Sequence, residues 1–139
     1  MPPKIPDRRS AGSVHDNSLP QWAIDKMARR RGRRYVFENI DPTKTALVVI
    51  DLIRAALEST PCAASIIDPV RRLASTLRAA GGTIVWVTPA PIGPDHPILR
   101  ALWGAEHLQM IAAQTASGSA ANDLADGLTP EPQDLAVYK

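Results

Sequence analysis

The run from Thr45 to Asp51 constrains the fold more than any other part of the sequence. It reads Thr-Ala-Leu-Val-Val-Ile-Asp, a stretch rich in β-branched residues with no polar alternation. Such a run is typical of a strand in a parallel sheet, where helices cover both faces. The sequence therefore predicts a strand over residues 45–51, buried on both faces and ending in a carboxylate.

The residues after this strand predict a helix and a second strand. Apolar side chains recur at helical spacing from Ser65 to Ala80, and Gly81-Gly82 is typical of a helix end. Residues 83–88, Thr-Ile-Val-Trp-Val-Thr, form the next apolar run. Strand, helix and strand make a βαβ unit, in which the two strands are parallel neighbours. Residues 135–139 begin a third strand, so the predicted fold class is α/β with a parallel sheet.

The intervening segments carry weaker patterns. Residues 35–40 predict a short strand or an extended lead-in. Prolines at 89, 91, 94 and 97 predict a stiff loop. Helices are expected over residues 98–113 and 119–128.

Charge separates the chain into two parts. Residues 1–34 hold nine Lys or Arg against three Asp or Glu, a net charge of +6, and residues 35–139 hold seven against eleven, a net charge of −4. We interpret residues 1–34 as a basic N-terminal arm and residues 35–139 as the α/β domain.

The arm is expected to contain one short helix. Residues 1–21 have no periodicity, whereas the stretch from Trp22 to Arg31 has one narrow apolar face followed by arginines, and Gly32 is suited to end it. We expect the arm to lie outside the sheet and to pack through Trp22, Ile24 and Met27 on a neighbouring surface. Another subunit would supply such a surface, which favours a homo-oligomer.

The basic run from Lys26 to Arg34 invites comparison with nucleic-acid binding segments. It has no interleaved aromatic residues for base stacking, and no folded recognition module accompanies it. A solvated helix end, or a contact with an acidic subunit, is therefore favoured over a nucleic-acid partner.

Composition indicates a cytoplasmic protein without a membrane partner. No apolar run approaches the roughly 20 residues that a membrane span needs, and the first residues lack the apolar core of a secretory signal. The single cysteine, Cys62, rules out an internal disulfide and suits a reducing compartment.

Two charged residues fall at predicted carboxyl ends of strands, where open α/β sheets gather their functional groups. Asp51 ends the first strand and Lys139 lies at the end of the third. We expect their side chains to come within charge-pairing reach at the same edge of the sheet, where each would keep the other charged and together they could deprotonate a nucleophile and stabilise the resulting anion. The alternative is that Asp51 only caps a turn and Lys139 is a solvated side chain, and spacing alone leaves both open.

Four segments resemble the isochorismatase-like cysteine hydrolases, from about residue 35 to the end of the sequence. They are Tyr35-Val-Phe-Glu, Asp41-Pro-Thr-Lys-Thr-Ala-Leu-Val-Val-Ile-Asp51, Leu77-Arg-Ala-Ala-Gly-Gly-Thr-Ile-Val-Trp-Val87, and Gly127-Leu-Thr-Pro with Asp134 and Lys139. The resemblance implies a three-layer α/β/α, Rossmann-like parallel sheet without a cofactor. It further implies an Asp, Lys and Cys triad that hydrolyses C–N (amide or carbamoyl) or ether bonds of a small molecule. By position, Asp51 would be the base and Lys139 the lysine.

The family's cysteine follows the lysine, on a turn that enters a later helix. We therefore expect the nucleophile to lie beyond this chain, which would make residues 35–139 the N-terminal portion of the domain. Cys62 precedes a helix but does not fall at the nucleophile turn, so a structural or exposed thiol is favoured over a relocated nucleophile.

The sequence departs from the family around its pocket. Family members carry Gln, Asn and Phe after the aspartate, where this chain has Ile53, Arg54 and Ala56. The candidate pocket residues are thus Ile53, Arg54 and Trp86. Metal-binding relatives have an aspartate and spaced histidines after the second strand; only Asp95 and His96 occur here, which predicts no metal. These departures favour an alternative function, a catalytically inactive, degenerate copy that serves as a binding or interaction protein.

Overall fold

The computed structural model describes residues 19–37 and 39–139, and the chain divides into two compact units, Met1–Ile40 and Asp41–Lys139. Helix α1, Gln21–Arg31, belongs to the first unit, and Gly32 ends it with a left-handed φ of 69°. Arginines fill its last turn, where cations interact favourably with the helix dipole. The predicted helix and its glycine end are therefore confirmed. Of the aperiodic stretch expected over residues 1–21, residues 1–18 lie outside the described residues.

The second unit contains the sheet and the remaining helices of the described part. In chain order the elements are β1 (Ala46–Ile50), α2 (Arg54–Ser59), α3 (Ile67–Ala79), β2 (Thr83–Thr88), α4 (Pro97–Trp103), α5 (Ala105–Thr115) and β3 (Leu135–Tyr138). Short 3-10 helices lie at Pro42–Lys44, Pro61–Ile66 and Ala120–Asn122.

The three strands form one open, all-parallel sheet in the order β1-β2-β3. Helix α3 connects β1 to β2, and its Ala74 and Leu77 join Val49, Ile84 and Trp86 in the buried core. The βαβ unit and the α/β class predicted from the sequence are confirmed, as is the third strand.

One face of the sheet is open in the described part of the chain, so the prediction that β1 is buried on both faces was wrong. Val49 is 5% exposed on the α3 side, whereas Val48 and Ile50 are 50% and 54% exposed. Two cross-strand rows of apolar side chains form this open face: Val48, Val85 and Leu135, then Ile50, Val87 and Val137. An apolar run shows what a strand is able to bury, but it does not specify whether a second covering layer is present.

Residues 35–37 and 39–40 contain no strand, so the lead-in is the alternative that remains for this segment. Two other local predictions need correction. The helix expected over residues 98–113 is two helices, α4 and α5, separated by Gly104 with a φ of 83°. The helix expected over residues 119–128 is a single 3-10 turn followed by a bridge at Leu124 and a second turn at residues 126–127. Backbone pairing competes with the helix, because Leu124 bridges Ile53. Helix α2 has no counterpart among the predicted elements.

Candidate active site

The carboxyl ends of the three strands bring Asp51 and Lys139 together. β1 and β3 flank β2, and the backbones of both residues are fixed to the end of β2. The Asp51 amide donates to Val87 O at 3.0 Å, and the Lys139 amide donates to Thr88 O at 3.1 Å. Lys139 Nζ then lies 2.7 Å from Asp51 Oδ2, so the two side chains form the ion pair that their strand-end positions predicted.

The backbone of Asp51 has a conformation that few residue types accept. Its φ is 56°, and it is the one residue other than glycine with a positive φ in the described part of the chain. Asp and Asn enter this left-handed region more readily than other side chains. Sparsely populated backbone conformations of this kind cluster at functional sites. The short polar side chain at this strand end thus suits the backbone as well as the ion pair.

The two oxygens of Asp51 differ in their surroundings. Oδ2 accepts a hydrogen bond from Lys139, whereas Oδ1 is buried and has no hydrogen-bond partner among the described residues. The Asp51 and Lys139 side chains are 41% and 51% exposed overall, so the pair lies at the surface of the sheet edge. Chemically, the arrangement offers a carboxyl group whose Oδ2 is paired with an ammonium group and whose Oδ1 has no partner in the described residues.

The other candidate pocket residues lie in different surroundings. Ile53 is 7% exposed and contributes to the apolar interior beside Leu124. Arg54 is held by two carboxylates: it binds Asp126 through Nη2 at 3.0 Å, and its Nη1 lies 3.7 Å from Asp123. Trp86 is 3% exposed, and its indole Nε1 donates to Asp134 at 2.9 Å.

Trp86 also lines a cleft of about 630 Å³ on the α3 side of the sheet, at the carboxyl ends of β2 and β3. We call it the Tyr138 cleft. Trp86, Thr88 and Tyr138 line it on the sheet side, and Ser117, Asn122 and Asp123 line the opposite wall. Asp51, Lys139, Ile53 and Arg54 are not among its lining residues. The sequence did not predict this cleft, because the segment that follows α5 and forms the outer wall is rich in Ala, Ser and Gly and has no hydrophobic periodicity. The strand-end positions of Thr88 and Tyr138 were the available signal.

Cys62 lies within the 3-10 helix Pro61–Ile66, which runs directly into α3, so it precedes an α-helix as the sequence predicted. Its thiol is free and partly buried, and its backbone oxygen accepts a hydrogen bond from Ser65 Oγ at 2.8 Å. No hydrogen bond joins Cys62 to Asp51 or Lys139 in the described part of the chain.

Within residues 19–37 and 39–139, no three His, Cys, Asp or Glu side chains converge in a way that could hold a metal ion. His96 instead caps α4, where its Nδ1 accepts from the Leu99 amide at 3.4 Å.

None of the described helices is long and apolar enough to span a membrane. No protein-family model and no curated protein matches the chain.

Proposed function

We propose that residues 35–139 belong to an isochorismatase-like hydrolase that acts on C–N or ether bonds of a small molecule, with Asp51 as the base and Lys139 as the lysine of the triad. The single observation that carries the proposal is the 2.7 Å contact between Lys139 Nζ and Asp51 Oδ2 at the carboxyl edge of a parallel sheet. Functional groups of open α/β sheets gather at this edge.

The chemistry assigned to the pair is activation of a thiol. The ammonium of Lys139 lies 2.7 Å from Asp51 Oδ2, and Oδ1 has no donor in the described part of the chain. The Asp51 carboxylate takes the proton of the thiol, and the thiolate attacks the carbonyl carbon of an amide. The C–N bond breaks, the departing nitrogen takes the proton from Asp51, and water then releases the acyl group from sulfur. The proposal places the thiol outside these 139 residues and needs no cofactor.

The protein to assay is the product of the complete gene, so that any further residues are present. A panel of small amides, carbamoyl compounds and isochorismate is the substrate set. Asp51→Asn and Lys139→Met should each lower kcat by about 10²–10⁴-fold, the range expected for loss of a positioned proton-transfer group. Asn tolerates the left-handed backbone, so Asp51→Asn should leave the fold intact.

The chain offers a matched control pair. Asp41 and Lys44 form an exposed ion pair of 3.2 Å just before β1, at the opposite end of the strand from Asp51. Asp41→Asn and Lys44→Met should leave kcat unchanged. Equal losses in both pairs, or turnover that survives in Asp51→Asn, would contradict the assignment.

A degenerate, catalytically inactive binding or interaction protein is the second candidate function. It is favoured by the surroundings of Ile53 and Arg54, because one is buried and the other is held by Asp123 and Asp126. Absence of turnover on the whole panel, together with a folded protein, would favour it over the hydrolase.

We also propose that the protein works in the cytoplasm as a homo-oligomer, in which the basic segment of one copy contacts the acidic domain of another. The charges of +6 and −4 support this pairing. Because exposed charges are screened by salt, association should weaken at high ionic strength and on replacement of Arg29, Arg30 and Arg31 by Glu. Sedimentation of the wild type and this variant at low and high salt measures the mass of the assembly. A mass that changes neither with salt nor with the replacement would contradict the proposed contact.

A further inference from the structure

The Tyr138 cleft has the size and composition of a small-molecule site. Its volume of about 630 Å³ falls within the roughly 300–1,000 Å³ of ligand pockets. Trp86, Leu124 and Leu128 supply apolar surface, and Thr88, Ser117 and Ser119 supply hydroxyl groups. The indole N–H of Trp86 is already donated to Asp134, so this ring offers the cleft an apolar surface rather than a hydrogen-bond donor.

Hydrogen bonds hold the two walls of the cleft together. Asn122 Nδ2 donates to Pro89 O at 3.0 Å, and Thr115 Oγ1 accepts from the Ile92 amide at 3.2 Å. The first bond ties the segment after α5 to the loop after β2, and the second ties the last residue of α5 to the same loop. Thr115 is also 4% exposed and donates to Ile111 O at 2.9 Å. Because the walls are fixed by bonds between elements, a ligand would meet a largely preformed site.

The charge of the cleft selects among ligands. In the described part of the chain, Asp123 is the one charged residue that lines it, and no Lys, Arg or His does. A carboxylate or phosphate ligand would therefore meet a like charge and no cation in the lining, because Arg54, which pairs with Asp123 at 3.7 Å, lies outside it. An ammonium group would meet an opposite charge.

The Asp123 carboxylate keeps its capacity to bind a ligand. Arg54 gives its two shorter contacts, 3.2 Å from Nε and 3.0 Å from Nη2, to Asp126. Its Nη1 lies 3.7 Å from Asp123, which is longer than a hydrogen bond. The Asp123 side chain is 63% exposed, so an approaching cation does not have to displace a buried partner.

Tyr138 adds an aromatic surface to the same cleft. It is 69% exposed and lies opposite Thr88 in the sheet register. Tyrosine rings attract ammonium groups within about 6 Å of the ring centre. We propose that the Tyr138 cleft binds a small organic cation, an ammonium group on an aromatic or aliphatic body, with Asp123 as the anion that selects it. Asp51 and Lys139 do not line the cleft, so this site stands independently of the proposed hydrolase.

Three probes of matched size test the charge selection: phenethylammonium, phenethyl alcohol and phenylpropionate. Their affinities are measured by NMR titration of the folded 139-residue chain, with the Trp86 indole and the amides of Ser117 and Ser119 as reporters. Phenethylammonium should bind about tenfold more tightly than the alcohol, from an exposed ion pair together with a cation–π contact. Phenylpropionate should bind most weakly of the three.

Two aspartate variants separate the cleft from the general negative field. Asp123→Asn should reduce the ammonium-to-alcohol preference to near unity while the alcohol affinity is kept. Asp95→Asn removes the same charge at a side chain that is 91% exposed, does not line the cleft and does not contact Arg54, and it should leave the preference intact. The proposal is overturned if no probe binds at millimolar concentration, if phenylpropionate or the alcohol binds as tightly as the amine, or if both variants lose the preference equally.

Discussion

Arg78 on α3 and Asp134, the residue before β3, form a two-pronged ion pair that is almost fully buried. Nε donates to Oδ1 at 3.0 Å and Nη2 donates to Oδ2 at 2.7 Å. The Asp134 side chain is 2% exposed, and it also accepts from Trp86 Nε1 and from the Glu131 amide. The Arg78 hydrogen bonds, supported by these two donors, lower the pKa of Asp134 to about 2. One carboxylate thus ties α3, β2 and the start of β3 together.

Asp134→Asn should lower the free energy of unfolding by about 1–3 kcal/mol, because it removes two charge-assisted hydrogen bonds in a buried setting. Arg78 keeps one counter-charge, since its Nη1 lies 2.8 Å from Glu131 Oε1. The matched control is Asp68→Asn. Asp68 also pairs with arginines of α3, Arg71 and Arg72, but its side chain is 57% exposed, so its loss should be several-fold smaller. Urea denaturation of the three proteins measures both changes. Equal losses would show that burial of the Asp134 pair does not determine its contribution.

The same carboxylate should make stability depend on pH in acid. Its pKa is depressed from 3.8 to about 2 in the folded chain, so its contribution is complete above pH 3.8 and is lost as the pH falls through about 2. The depression corresponds to about 2 kcal/mol. The stability difference between the wild type and Asp134→Asn should therefore shrink by about that amount across this window. If the stability difference stayed constant as the pH fell to about 2, the charge of Asp134 would not be the source of that difference.

Gly82 should not accept a side chain. A Cβ there would lie 2.5 Å from Leu77 Cγ and 2.9 Å from the backbone oxygen of Pro42. Gly82→Ala is therefore expected to destabilise the chain by about 1–3 kcal/mol, the usual effect of overpacking. Gly93→Ala is the control, because a Cβ at Gly93 meets no atom within 4 Å, and it should stay within about 0.5 kcal/mol of the wild type. Thermal or urea unfolding of both variants distinguishes a steric effect from a general effect of losing glycine.

The sequence predicted the βαβ unit because its signals are local: two apolar runs, a helical periodicity and a Gly-Gly pair. It also predicted the meeting of Asp51 and Lys139, because parallel strands place their carboxyl ends at one edge. Chain segments without such a signal were missed. Residues 123–125 pair with residues 52–54 through backbone bonds, such as Ala125 N to Leu52 O at 2.9 Å, and no local propensity records that contact. The Tyr138 cleft was missed for the same reason, since its outer wall takes its shape from this pairing.

Adjacent valines on β1 provide a test of the open face. Val49 is 5% exposed and Val48 is 50% exposed. Val49→Thr should cost about 1–3 kcal/mol, because the added hydroxyl is buried among apolar side chains. Val48→Thr should cost under about 0.5 kcal/mol at protein concentrations where the chain is monomeric. Unfolding of both variants over a series of protein concentrations makes the comparison. A loss in Val48→Thr equal to that in Val49→Thr at every concentration would show that the open face is covered in solution.

The 139-residue chain should not hydrolyse small amides, ureas or isochorismate by itself. Asp51 and Lys139 supply a base and a cation, but hydrolysis through a thioester also needs a sulfur within reach of the base. Cys62 is the one cysteine of the chain. It lies in the 3-10 helix Pro61–Ile66, where its backbone oxygen accepts a hydrogen bond from Ser65 Oγ. No hydrogen bond joins Cys62 to Asp51 in the described residues. Without the nucleophile, positioned groups alone leave about 10³–10⁴-fold catalysis over water in serine proteases. Wild type and Cys62→Ser are therefore assayed side by side, and both should show the same trace activity. Turnover that is substantial in the wild type and vanishes in Cys62→Ser would instead make Cys62 the nucleophile and require a chain movement that brings its sulfur to Asp51.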